Sequence, residues 1–166
     1  MGIFTAAVSL LTNGGVGQRE KRPRDAASSD ENEGKGTVLV IDDDPTFLDA
    51  VRLVLREAGY NVLTSSTGPK GLDMVRYAPK DVRLVLLDYN MPRFNGAETL
   101  EFLRKLNPGL KVVAVSGFRV AELPESFHHG VERFVSKPFN NEELLKTVEE
   151  VIEGTSAGKA PVSASK

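Results

Sequence analysis

Apolar residues are laid along this chain in two alternating rhythms. Val38-Leu39-Val40-Ile41 and Leu84-Val85-Leu86-Leu87 are short unbroken runs, and Leu110 to Val115 is nearly one. Each is bounded by turn residues, which suits a strand buried on both faces of a parallel sheet. In the segments between them apolar residues return every three or four positions, as on one face of a helix. The first strand begins at Thr37. Asp44 then reads as an N-cap, with Pro45 at the first helical position. Phe47, Val51, Val54, Leu55 and Ala58 form the stripe of that helix, and Gly59 closes it. Tyr60 to Thr64 alternates more weakly and predicts a second strand at a sheet edge. A helix follows over Pro69 to Tyr77, with Leu72, Val75 and Arg76. The third strand ends at Leu87, and a helix from Ala97 to Leu106 stops at Asn107-Pro108-Gly109. After the strand Leu110 to Val115, Pro124 cannot occupy a helix interior. The fourth helix is therefore expected to be short, Leu123 to His129, capped by Gly130. A fifth strand over Glu132 to Val135 leads to a last helix, Asn141 to Glu153, with the stripe Leu144, Leu145, Val148, Val151 and Ile152. Five strands alternating with five helices predict an α/β fold, a doubly wound five-stranded parallel sheet with right-handed crossovers.

The ends of the chain lack this patterning. Residues 12–36 are rich in Gly, Ser, Asn and charge, and residues 154–166 in Gly, Ala and Ser. Such composition buries too little surface to offset the entropy of ordering. Residues 1–36 are thus expected to be a disordered extension, 37–153 one domain, and 154–166 a disordered tail. The basic cluster Arg19 to Arg24 is followed at once by Asp25, Asp30, Glu31 and Glu33, so it reads as solvated linker. The start, Met1 to Leu11, lacks the basic n-region of a signal peptide. Its Met-Gly opening has Ala6 where a myristoylation signal wants Ser or Thr.

Every apolar run stops on a polar group. The first ends on Asp42 and Asp43, the third on Asp88, the fourth on Ser116 and the fifth on Lys137. In an open α/β sheet, ligands bind outside the carboxyl ends of the strands, and there these groups can converge. Three carboxylates brought together repel strongly. Lys137 is one compensating charge and a divalent cation the obvious other. With oxygen ligands alone a hard ion such as Mg²⁺ is expected, held at about 2.0–2.1 Å by few carboxylates and several waters. A metal, a lysine, a hydroxyl and a spare carboxylate suit phosphoryl transfer, with the carboxylate as nucleophile. Asp44 reads as a helix cap rather than a ligand. His128 and His129, in the last turn of a helix, suit its dipole better than they suit chemistry.

Composition narrows the alternatives. There is no Cys, which excludes disulfides, thiolate metal sites and a thiol nucleophile. The net charge of -2 leaves no general nucleic-acid footprint. No apolar run approaches the length of about 20 residues that spans a bilayer.

Val38 to Pro45, the D-x-x-M-P-x-x-x-G loop from Asp88 to Gly96, Ser116, and Ser136-Lys137-Pro138-Phe139 together resemble the receiver domain of two-component response regulators. The resemblance covers residues 37–153 and is closest to single-domain, chemotaxis-type regulators. It implies a flavodoxin-like fold with strand order 2-1-3-4-5. It implies that Asp88 takes a phosphoryl group from the phosphohistidine of a sensor histidine kinase or phosphotransfer protein. Asp43 would then bind Mg²⁺ directly and Asp42 through water, with the Asn90 carbonyl and Asp88 as further ligands. Lys137 would pair with the phosphoryl group, the Ser116 hydroxyl would be drawn to it, and Phe134 would stand at the switch aromatic. The Lys137–Pro138 bond would be cis.

Two features depart from the family pattern. Phe134 has no hydroxyl, and Pro124 shortens a helix on the surface that usually meets partners. With no room for an output domain after residue 153, output is expected through an unknown downstream protein in the cytoplasm, without direct contact to nucleic acid or membrane. An aspartate-nucleophile phosphatase of the haloacid-dehalogenase type would need a second Asp where Asn90 stands. A phosphorylation-independent scaffold would not need the complete acidic, Ser and Lys set.

Overall fold

A computed structural model of the chain describes residues 34–77 and 82–154. Its elements run β1 (Thr37–Ile41), α1 (Pro45–Glu57), β2 (Asn61–Ser65), α2 (Gly68–Tyr77), β3 (Val82–Asp88), α3 (Gly96–Leu106), β4 (Lys111–Ser116), a 3-10 turn (Val120–Glu122), α4 (Glu125–Gly130), β5 (Arg133–Ser136) and α5 (Asn141–Glu153). The strands are all parallel in the order β2-β1-β3-β4-β5, the flavodoxin-like arrangement. β2 is an edge strand, as its weak alternation predicted.

Side chains of a strand point alternately to its two faces. Val38, Val40, Leu84, Leu86, Val113 and Val115 pack with α1 and α5, while Leu39, Ile41, Val85, Leu87, Val112 and Ala114 pack against α2, α3 and α4. None of these twelve is more than 1% exposed. Burial on both faces is why the runs are unbroken in the sequence.

Capping sets where the helices begin. The Asp44 carboxylate accepts from the Thr46 and Phe47 amides at 2.8 and 3.3 Å, as expected of an N-cap. Asn95 and Glu98 form a reciprocal capping box on α3. Asn140 caps α5 through the Glu143 amide at 2.7 Å. Gly59, just past α1, and Gly154, the C-cap of α5, have φ of 92° and 71°, the left-handed region glycine enters without penalty.

Several expectations shift. The buried stripe of α1 is Leu48, Val51 and Leu55; Phe47, Val54 and Ala58 are only half-buried. α4 begins at Glu125, two residues later than expected, because Pro124 sits ahead of it in an extended conformation with ψ 141°. Gly130 is the last residue of α4 rather than its cap. A Cβ there would come 2.6 Å from Leu100 Cδ2, so its smallness serves the packing of α4 on α3. Lys35 and Gly36 already hydrogen-bond to Gly59 and Asn61 ahead of β1, and Lys35 pairs with Glu149 at 2.6 Å. The rest of the extension and the tail beyond Gly154 lie outside the described residues.

Asp44→Ala should cost about 1 kcal/mol of stability through the lost cap. It should read as a lower urea midpoint with unchanged m-value.

Candidate functional site

Sheet register delivers the predicted residues to one edge. Ile41 of β1 pairs with Leu87 of β3, so the next residues, Asp42 and Asp88, emerge side by side. Asp88 pairs with Val115, so Ser116 lies one step further out on β4. Ser116 pairs with Ser136, which puts Lys137 one step beyond that. Asp42 and Asp88 are buried, Asp43 is exposed, and one carboxylate oxygen from each lies within 4.8 Å of the other two. Lys137 Nζ lies 2.5 Å from Asp42 Oδ2 and 3.1 Å from Asp88 Oδ1.

The other oxygens of these carboxylates accept from backbone amides. Asp42 Oδ1 accepts from Asp44 N at 2.9 Å, and Asp88 Oδ2 accepts from Asn90 N at 2.8 Å. Burial pushes the Asp88 carboxyl above its ordinary range; Lys137 opposes this and the Asp42 charge adds to it. Burial alone would lower the Lys137 ammonium, but its hydrogen bond to Asp42 and the charges of Asp88 and Asp42 outweigh that and hold it raised. Ionised Asp88 is thus under electrostatic stress that an additional cation would relieve.

The loop after Asp88 is held against the acceptor. Gly96 N donates to Tyr89 O at 2.9 Å. A Cβ on Gly96 would lie 2.4 Å from Asp88 O and 2.7 Å from Tyr89 Cα, so no side chain fits there. Arg93 takes a φ of 67°, uncommon for a residue with a side chain. Ser116 is buried, and its Oγ accepts from Phe118 N at 3.1 Å. The Lys137–Pro138 bond is cis.

Phe134 packs among aromatic rings. Its ring neighbours among the described residues are Phe127 and His128, at 6.1 and 5.3 Å between centroids. His129 Nδ1 lies 2.9 Å from the Glu125 carbonyl oxygen of its own helix. Phe47 has the stripe spacing of a core residue, yet its ring centroid lies 4.0 Å from Lys137 Nζ. An aromatic at stripe spacing carries no signal of such a contact.

The chain belongs to the response regulator receiver domain family, whose model matches residues 38–149. It is 29% identical over 116 residues to the cell cycle transcriptional regulator CtrA of Caulobacter vibrioides, covering 69% of this chain and 49% of CtrA. The chain spans about half the length of the curated relatives it matches. A CheY-like receiver domain protein from Methanospirillum hungatei is 30% identical with a TM-score of 0.66, covering 72% of this chain and 94% of that one. TrrA of Thermotoga maritima, solved in complex with Mg²⁺-BeF, is 27% identical with a TM-score of 0.63, over 70% of this chain and 98% of TrrA. Receiver domains are signalling modules that interact with histidine kinases or phosphotransfer proteins. No helix among the described residues is long and apolar enough to cross a membrane.

Two outcomes follow for stability. Gly96→Ala should destabilise by about 1–3 kcal/mol, since the new methyl meets backbone that cannot move aside; Gly109→Ala, whose nearest neighbour is Asn107 Oδ1 at 3.7 Å, should not. Asp88→Asn without Mg²⁺ should stabilise the fold near neutral pH by about 1 kcal/mol. The sign follows from linkage: the folded state binds the Asp88 proton more tightly than the unfolded state. Stability of the parent protein therefore falls as pH rises from the ordinary value of 3.8 through the raised folded value. The advantage of Asn should appear across that window and vanish below it, as followed by chemical denaturation.

Proposed function

We propose that this chain is a phosphorylation-controlled switch: Asp88 accepts a phosphoryl group from the phosphohistidine of a sensor histidine kinase or phosphotransfer protein, and the modified domain binds a downstream protein differently. The observation that carries the reading is the juxtaposition of three carboxylates with one lysine at the sheet edge. The donor set fits Mg²⁺, being all hard oxygen, with a buried carboxylate short of compensating charge. Asp42, Asp43, Asp88 and the Asn90 carbonyl would hold the ion. When bound, it supplies positive charge to the phosphoryl oxygens.

The chain's own groups do the rest. An Asp88 oxygen attacks phosphorus, and the P–N bond of the phosphohistidine breaks with its electron pair returning to the ring nitrogen, which takes a proton from solvent. Lys137 donates to a phosphoryl oxygen, trading one anionic partner for another. The Ser116 hydroxyl, one step beyond Asp88 in register, donates to a second. That pull would move the segment from Phe118 onward, because the Phe118 amide is bonded to the same hydroxyl. Phe134, without a hydroxyl, answers only by repacking against Phe127 and His128. Phosphorylation shifts partner binding only by its differential interaction with the two conformations. The receiver domain acts as a cytoplasmic regulatory switch, not a turnover enzyme. Its output goes through that partner.

Asp88→Asn should abolish labelling by a small phosphodonor with Mg²⁺, whereas undiminished labelling would sink the assignment. Mg²⁺ alone, at a hundred times its dissociation constant, should stabilise the parent protein by about 2.7 kcal/mol. Asp43→Ala should lose most of that gain in a thermal melt.

A further inference from the structure

Lysine carries its charge on a flexible four-carbon stem, so a lysine that must meet an incoming group needs holding. Lys137 is held on three sides. Two are carboxylates, Asp42 Oδ2 at 2.5 Å and Asp88 Oδ1 at 3.1 Å. The third is the Phe47 ring, whose centroid lies 4.0 Å from Nζ. A cation is attracted to the negative face of an aromatic ring, more strongly where water is thinned. The Lys137 side chain is only 26% exposed.

The ring is itself fixed. Phe47 lies in the first turn of α1, and its amide donates to the capping Asp44 carboxylate at 3.3 Å. Phe139 meets it edge-on, with centroids 5.9 Å apart and planes at 84°. Phe139 is two residues after Lys137, so the turn that carries the cation also carries the ring that braces Phe47. Asp42 belongs to the same assembly: Oδ1 accepts from the Asp44 amide ahead of α1 while Oδ2 faces Lys137.

We infer that Phe47 is a positioning residue for phosphoryl transfer, its ring face holding the Lys137 ammonium beside Asp88 before the phosphoryl group arrives. The inference rests on Asp88 being the acceptor. An arriving phosphoryl group competes with Asp42 and Asp88 for the ammonium N–H groups. The ring does not compete in this way, and it keeps its hold whichever oxygen the ammonium serves. An aliphatic side chain at position 47 fills similar space but has no negative face, and Lys137 then settles onto Asp42, the nearer carboxylate.

The test compares Phe47→Leu, Phe47→Tyr and 3,4,5-trifluorophenylalanine at position 47. Fluorination keeps the shape of the ring and drains its face of negative charge. Two quantities are read: the rate of labelling by phosphoramidate at saturating Mg²⁺, and the NMR shift of the Lys137 ε-methylene protons without donor. The Leu and trifluoro variants should label about tenfold more slowly, and Tyr within about twofold of the parent. The ε-protons should lie upfield under the ring in the parent and move to their ordinary position in the Leu variant. An unchanged melting temperature for the trifluoro variant would exclude a folding defect. A trifluoro variant labelled at the parent rate, or parent ε-protons at their ordinary shift, overturns the inference alone. A parent protein that takes no label overturns the reading of Asp88 and the inference with it.

Discussion

The structure depends on one balance of charge. Asp42 and Asp88 are buried next to each other because β1 and β3 are neighbours in register, and Asp43 follows directly. Buried carboxylates this close are tolerated only with compensation. Lys137 reaches both buried ones from the far end of the sheet, two strands beyond Asp88. The compensation is incomplete, since the Asp88 carboxyl still sits above its ordinary range, chiefly through burial. A site left short of positive charge suits a cation and, with it, an anionic phosphoryl group.

The elements around the site serve that balance. The Asn90 and Asp44 amides take the carboxylate oxygens that Lys137 does not. Gly96 lets the loop after β3 fold back onto the Asp88 backbone. The aromatic pair Phe47 and Phe139 walls the lysine from the α1 side. On the other face Arg104 reaches the carbonyls of Gly130, Pro108 and Leu110, tying α4 and the start of β4 to α3. The segment between Ser116 and α4, with its short 3-10 turn, is held instead by the Phe118 ring against Tyr89 and by buried Leu123.

Much of this was legible in the sequence, for a physical reason. Strands buried on both faces leave unbroken apolar runs, and a parallel sheet brings their carboxyl ends to one edge, so the pattern alone groups Asp42, Asp88, Ser116 and Lys137. The helix faces were less legible. Phe47 and Leu48 are both apolar, and periodicity alone does not say which turns inward. Gly130 has the position of a capping glycine in the pattern, whereas Leu100 of α3 is what requires it to be small. The contact of Phe47 with Lys137 joins residues ninety positions apart and leaves no trace in local pattern.

The central claim is that Asp88 carries the phosphoryl group. Reduction of the phosphorylated protein with borohydride converts an aspartyl phosphate to homoserine, which peptide mass spectrometry locates. The account predicts homoserine at position 88 and nowhere else, dependent on Mg²⁺. Modification of Asp42 or Asp43 instead, or an acid-labile phosphoryl group on His128 or His129 with Asp88 untouched, would contradict it.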